Sequence, residues 1–178
     1  IANQNGNASA VIKAISGGGG RGMRIVHPGD DIEANFHACA REAKAAFGDD
    51  DLYVEQLIEQ ARHIEVQVLG DGFGNAVHLW ERECSLQRRN QKLIEIAPSP
   101  TLSEATRNRL LDAALRLAHE VNYAGLGTFE FLVDTNGSDF YFMEANPRLQ
   151  VEHTITEEIT GIDLVQAQIA VLGGASLQ

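Results

Sequence analysis

Two segments of alternating apolar residues, 127–134 and 139–145, flank Asn136-Gly137, and no other stretch limits the fold of this chain so tightly. Asn-Gly between such runs is a strong short-range signal for a β-hairpin, because both residues accept the positive φ of its turn. Pairing Glu130 with Glu144, Phe131 with Met143 and Val133 with Tyr141 gathers Phe129, Phe131, Val133, Tyr141, Met143 and Ala145 on one apolar face. The other face then carries Glu130, Leu132, Asp134, Phe140, Phe142 and Glu144. A one-residue slip would set Phe129 against Glu144, which specifies the register. Directly opposed side chains have Cβ atoms about 4.5–5.5 Å apart, so two carboxylates there repel unless a cation neutralises them. A hard divalent ion is the natural candidate, since Mg2+ prefers a couple of carboxylates plus phosphate oxygens and water, and Asn146 adds an oxygen close by. The alternatives are two solvated glutamates or pairing with arginine.

Elsewhere the periodicity predicts strands over 10–15, 23–27, 52–58, 63–69 and 76–80, and helices over 30–47, 103–121, 155–160 and 163–172. Asp30 and Glu33 have capping-box spacing, and Ile32, Phe36, Cys39, Ala40, Ala43 and Phe47 form an apolar stripe behind them. Residues 81–92, dense in charge and amide, read as irregular or partly extended. Hairpin-connected strands interrupted by helices imply an α+β fold with an antiparallel sheet rather than a doubly wound one. The length of 178 residues suits one domain or two small ones, with the internal boundary expected near 49–57. Two cysteines make a disulfide framework unsuitable, and no apolar run approaches a membrane helix, so a reducing, cytoplasmic or organelle-matrix setting is expected. A formal charge of −11 argues against a general nucleic-acid or membrane-surface binder but allows a local basic pocket. The opening Ile1 and the loop-like 3–7 suggest a piece of something longer.

Gly17, Gly19 and Gly22 satisfy a GxGxxG pattern, but the apolar run 23–27 after it points to a hairpin rather than a strand-to-helix turn. Met23 stands where a Walker loop needs lysine. A hairpin lid closing over phosphates, with Lys13 as a point charge, and a plain surface loop remain evenly matched. Residues 146–153 pack acid, base and amide together: Arg148 offers a planar fork for an anion, and Glu152 a general base. Gln87, Arg88, Arg89 and Lys92 make a second polar cluster. The histidines show no metal-ligand spacing.

Four motifs together, Lys13-Ala14 with 16–23, then 81–89, 127–131 and 146–153, resemble the biotin carboxylase family, which has the ATP-grasp fold. The resemblance runs nearly end to end. It implies that MgATP activates bicarbonate as carboxyphosphate, which carboxylates biotin on a carrier protein, with a carboxyltransferase as further partner. It implies that residues 1–54 belong to the lid subdomain and 55–178 to a C-terminally truncated catalytic core. It assigns Lys13, Gly19 and Gly20 to the phosphate lid and Glu55, Gln56, Leu57 and Ile58 to the adenine edge, largely through backbone groups. His63, Gln87 and, with less support, Asn90 become nucleotide contacts. Glu130, Glu144 and Asn146 become Mg2+ or Mn2+ ligands. Lys92, Arg148, Gln150 and Val151 form the bicarbonate pocket, Glu152 is the base, and Arg148 also stabilises the biotin enolate. Asn90 departs from the histidine common at its place, and Thr154 from a common proline. Family members extend beyond both ends, so the fragment is expected to be inactive alone. Two other readings stay open: another ATP-grasp ligase of carbamoyl-phosphate synthetase type, and a non-catalytic nucleotide-binding module.

Overall fold

A computed structural model describes residues 9–17, 21–89 and 91–177. The expectations for Gly19, Gly20 and Asn90 lie outside these residues. Contacts divide the chain into two compact units, 1–59 and 60–178. The expected division between 54 and 55 falls inside a strand that belongs whole to the first unit.

The first unit is a three-stranded antiparallel sheet backed by a helix. Strands β1 (Ala10–Ala14), β2 (Met23–Val26) and β3 (Leu52–Gln56) lie in the order β2-β1-β3. β1 and β2 form a hairpin, Lys13 facing Met23, so the glycine loop does join two strands. Gly22 turns it at φ 69°, where a Cβ would lie 2.9 Å from that of Ala14. Helix α1 (Ile32–Phe47) buries Cys39 and Ala43, and Cys39 packs with Ile12 and Val26. Its N-cap is Asp31, which accepts from Ala34 N, and not Asp30, whose carboxylate accepts from His27 N. Ile32 and Phe36 stay exposed, so the expected stripe is buried only at its centre.

The second unit is a five-stranded antiparallel sheet in the order β6-β5-β4-β7-β8. Its strands are β4 (Arg62–Asp71), β5 (Ala76–Arg88), β6 (Gln91–Ile96), β7 (Ala124–Val133) and β8 (Phe140–Asn146). The segment expected to be irregular is therefore the second half of β5. A bulge near Trp80, at φ 67°, lets the strand run on, and β6 was not foreseen. Helix α2 (Glu104–Glu120), capped by Ser103, covers one face: Ile64, Val66, Val68, Phe129, Phe131 and Val133 pack against Leu110, Leu111, Ala114 and Ala118. Leu117 and Val121, expected in that stripe, are exposed. Helices α3 (His153–Thr160) and α4 (Leu164–Leu172) cover the opposite face, where Leu69 and Leu126 meet Leu164 and Val171. Among the described residues no helix is long and apolar enough to cross a membrane, and both cysteines are free.

The hairpin β7–β8 keeps the expected register at its open end only. Glu130 faces Glu144 and Phe129 faces Ala145, but Phe131 then faces Phe142 and Val133 faces Phe140. Met143 is the extra residue of a β-bulge. The bulge carries Phe140 and Phe142 onto the apolar side, edge-on to Phe131 at 5.7 Å, in place of the expected Met143 and Tyr141.

Candidate active site

Because β4, β5, β7 and β8 are all antiparallel neighbours, one row of cross-strand partners runs over four strands. Arg82 faces Glu65, Glu65 faces Glu130, and Glu130 faces Glu144. The next row on the same face is Gln67, Thr128 and Asn146. Period-two alternation puts both rows opposite the α2 core, under α3 and the loop before it. The face is polar but closed: Glu65, Gln67, Arg82 and Thr128 are 0% exposed.

Buried charge must be paired to be tolerated. Glu65 lies between two cations, accepting from Arg82 Nε at 2.6 Å on one oxygen and from Lys92 Nζ on the other. Lys92 rises from β6 and also meets Glu152 at 2.6 Å and Glu130 at 3.1 Å. Burial alone would depress the lysine pKa, but Glu65, Glu152 and Glu130 together hold it above the usual range. Glu130 further accepts from Asn146 Nδ2 at 3.0 Å and from Gln150 Nε2 at 3.4 Å. Gln87 Nε2 donates to His63 Nδ1 at 3.0 Å, so the ring hydrogen belongs to His63 Nε2, which lies 3.1 Å from a Glu130 oxygen without the alignment of a hydrogen bond. Burial pushes the Glu130 carboxyl up, yet His63 and Lys92 outweigh it and bring its pKa to about 2. Burial likewise raises Glu152, and Lys92 and Arg82 reverse the shift to a net lowering.

The residues expected to act together in this unit are thus largely brought together: His63, Gln87, Lys92, Glu130, Glu144, Asn146, Gln150 and Glu152. Arg148 is exposed, donating to the Leu149 carbonyl at 3.3 Å, and among the described residues it pairs with no acid. Val151 is 86% exposed at the rim. Gln150 is buried with its Oε1 unpartnered, an acceptor waiting for a donor. Arg88 and Arg89 are exposed and join no ion pair among the described residues. In the other unit, Lys13 pairs with Glu55. Leu57 donates its N–H to the Ser9 carbonyl at 3.0 Å, so that amide is committed within its own sheet, whereas a role on the adenine edge had been expected through backbone groups. Gln56 pairs with Ala10 in the β1–β3 ladder, and Ile58 is half-buried just beyond it.

Three sets of ligating groups arise on this face. The atoms of His63, Glu65 and Glu130, and those of Glu65, Cys84 and Glu152, lie within 4.8 Å of one another, but Lys92 already sits among these carboxylates as their counter-ion. Glu130, Glu144 and Asn146 fit a hard cation better. All three carry oxygen; as placed, the Asn146 Nδ2 donates to Glu130 at 3.0 Å and to Glu144 at 3.4 Å, so its amide would turn over to present its oxygen to an ion. Glu65 and Arg82 went unsingled by sequence reasoning. The signal for Glu65 was the polar side of the 63–69 alternation and that for Arg82 the charged string 81–89, and neither has a reason to be called buried until α3 is placed over it.

The family described as Carbamoyl-phosphate synthase L chain, ATP binding domain, matches residues 2–178. Pyruvate carboxylase of Bacillus subtilis is 59% identical over 94% of this chain, and human mitochondrial pyruvate carboxylase 56% identical over 94%. The chain spans 14% of the length of these curated relatives. Among solved structures, a biotin carboxylase–beta-gamma-ATP complex from Campylobacter jejuni aligns with a TM-score of 0.91 and 51% identity, covering 95% of this chain and 38% of that one. The biotin carboxylase domain of Hydrogenobacter thermophilus 2-oxoglutarate carboxylase, solved with MgADP, ADP and bicarbonate, aligns at 0.89 and 47%, covering 95% and 37%. The two sheets and four helices are therefore those of the biotin carboxylase ATP-grasp fold. With four motifs, the row of charged partners and these relatives in agreement, the chain belongs to the carbamoyl-phosphate synthase L chain ATP-binding domain family, and within it resembles the biotin carboxylases.

Proposed function

We propose that this chain supplies the metal- and bicarbonate-binding part of a biotin carboxylase, which uses ATP and bicarbonate to carboxylate biotin on a carrier protein for a carboxyltransferase partner. The observation that carries the reading is the convergence of Glu65, Glu130 and Glu152 on the single ammonium of Lys92. Lys92 offers the anion an ammonium and Glu152 offers its acidic proton a carboxylate, while Arg148 and a divalent cation on Glu130 and Glu144 would offset the excess of acid in the cluster. Bicarbonate entering beside Lys92 and Gln150, with Arg148 free to swing in, would draw the ammonium away from Glu152. Glu152 Oε1 then loses the contact that depresses its pKa and becomes a better base for the bicarbonate hydroxyl at the moment it is needed. Val151 borders the same pocket through its backbone. Glu130, Glu144 and Asn146 would hold Mg2+ or Mn2+, which supplies charge neutralisation for the transferring phosphoryl group. Lys13, the glycine loop with Gly19 and Gly20, Glu55 through Ile58, His63, Gln87 and Asn90 are the nucleotide contacts of this reading. Relatives named for pyruvate and for 2-oxoglutarate share the segment, so the final acceptor is chosen elsewhere.

The test is to put this segment in place of the matching one in the Campylobacter jejuni biotin carboxylase. ATP hydrolysis should require bicarbonate and rise with free biotin. A folded chimera that binds nucleotide without hydrolysing it, or hydrolyses it without bicarbonate, would overturn the reading.

A further inference from the structure

We propose that Arg82 is the positioning residue that sets Lys92 and Glu152 against each other; the inference rests on the biotin carboxylase reading of the site. Arg82 is 0% exposed and lies beneath the cluster, away from the open side, so it is not placed to touch a substrate. Its guanidinium reaches three other elements. Nε donates to Glu65 at 2.6 Å and Nη1 to Gln67 at 2.8 Å, both on β4. Nη2 donates to Thr128 on β7 at 3.3 Å, and Nη1 to Thr156 on α3 at 2.7 Å. The planar fork makes these directions rigid.

Two consequences follow from that geometry. Arg82 fixes one oxygen of Glu65, which leaves the other aimed at Lys92. Thr156 stands four residues after Glu152, on the same side of α3. Glu152 occupies the N-cap position of α3 but makes no side-chain cap bond, its carboxylate being turned to Lys92 instead. Locally the first turn is tied only back to the loop before it, His153 Nδ1 lying 2.8 Å from the Gln150 carbonyl among the described residues, and the Arg82–Thr156 bond is what fastens α3 to the sheet below. One buried cation thus orients the lysine through Glu65 and the base through α3.

Thr156→Val removes only the α3 arm while keeping shape. In the chimera above, kcat should fall about tenfold with the KM for ATP unchanged, because a small misplacement of reacting groups costs rate rather than nucleotide binding. Arg82→Lys, which keeps a charge for Glu65 but cannot span the other partners, should lose about a hundredfold. In a Glu152→Gln background, Thr156→Val should add less than about a twofold effect, since the group it positions is gone. A crystal structure of Thr156→Val in the chain itself should show the 2.6 Å Lys92–Glu152 contact broken in an otherwise intact sheet. The proposal is overturned if that contact persists, if the two substitutions multiply, or if activity falls only as the folded fraction falls. An unsubstituted chimera without bicarbonate-dependent hydrolysis would instead sink the functional reading, and the crystallographic result would still decide the role of Arg82.

Discussion

Glu152 and Glu144 sit in opposite surroundings, which suits the different jobs proposed for them, base and metal ligand. Glu152 is buried and bonded to Lys92, while Glu144 is exposed and, among the described residues, hydrogen-bonded only by the Asn146 amide. Glu152→Gln in the active enzyme should lower kcat about a hundredfold or more while leaving the KM for ATP within a factor of two. Steady-state kinetics would contradict its role as base if the ATP KM moved and the rate did not. Glu144→Gln should reduce the Mg2+-dependent rate about ten- to a hundredfold, with melting temperature hardly changed, because an exposed side chain contributes little to the fold. Full activity in that variant would remove the metal assignment. Glu152 was legible as a site residue because it sits in a dense polar string, and Glu144 because the hairpin sets it opposite Glu130. Glu65 was not, because a polar residue in an alternating strand reads as solvated whenever the covering layer comes from distant sequence, and Arg82 was not, because its charged segment reads as irregular.

Elements were legible where the period was clean and local. α2 begins behind Ser103 as its sequence implies, and its loss of cap by Ser103→Ala should cost about 1 kcal/mol in denaturant melts. An unchanged midpoint would mean that the contact with Thr106 N carries no weight. β6 and the far half of β5 were illegible because bulges break their alternation and charge replaces apolar residues on the buried polar face. The same limit applies to β8, whose bulge at Met143 no pattern of two could reveal. The β4–β5 turn shows a different kind of support. Asp71 accepts from the backbone of Phe73, Asn75 and Leu177 and from the Asn75 amide, joining the turn to the segment after α4. The Asn75 side chain and, against the opposing effect of burial, these amides lower the Asp71 pKa from 3.8 to about 2. A depressed carboxylate contributes stability above its unfolded pKa and loses it as pH falls through the folded one. The stability gap between the parent and Asp71→Asn should therefore be constant above about pH 5 and shrink steadily toward pH 2. A gap independent of pH across that range would show that the carboxylate charge is not what fastens the turn.

On the scale of the whole molecule, the α+β class and the presence of a separate glycine-hairpin unit were readable from motif order. Their dividing point was not, since β3 looks no different from a strand of the larger sheet until its pairing with β1 is known. Every partner of the Lys92 cluster and of Arg82 lies within 60–178. Residues 60–177 expressed alone should consequently show the same cooperative melting transition as that unit in the longer chain, read by circular dichroism. A polypeptide that stays unfolded would show that the first unit contributes to its stability. The row Arg82, Glu65, Glu130 and Glu144 has one further meaning. Its members come from four strands and span 79 positions of the chain from Glu65 to Glu144, and none can meet the next until those strands are hydrogen-bonded. No short peptide cut from this protein can hold even a weakened copy of that charged row, so its formation is an all-or-none gauge of whether the entire platform has been assembled.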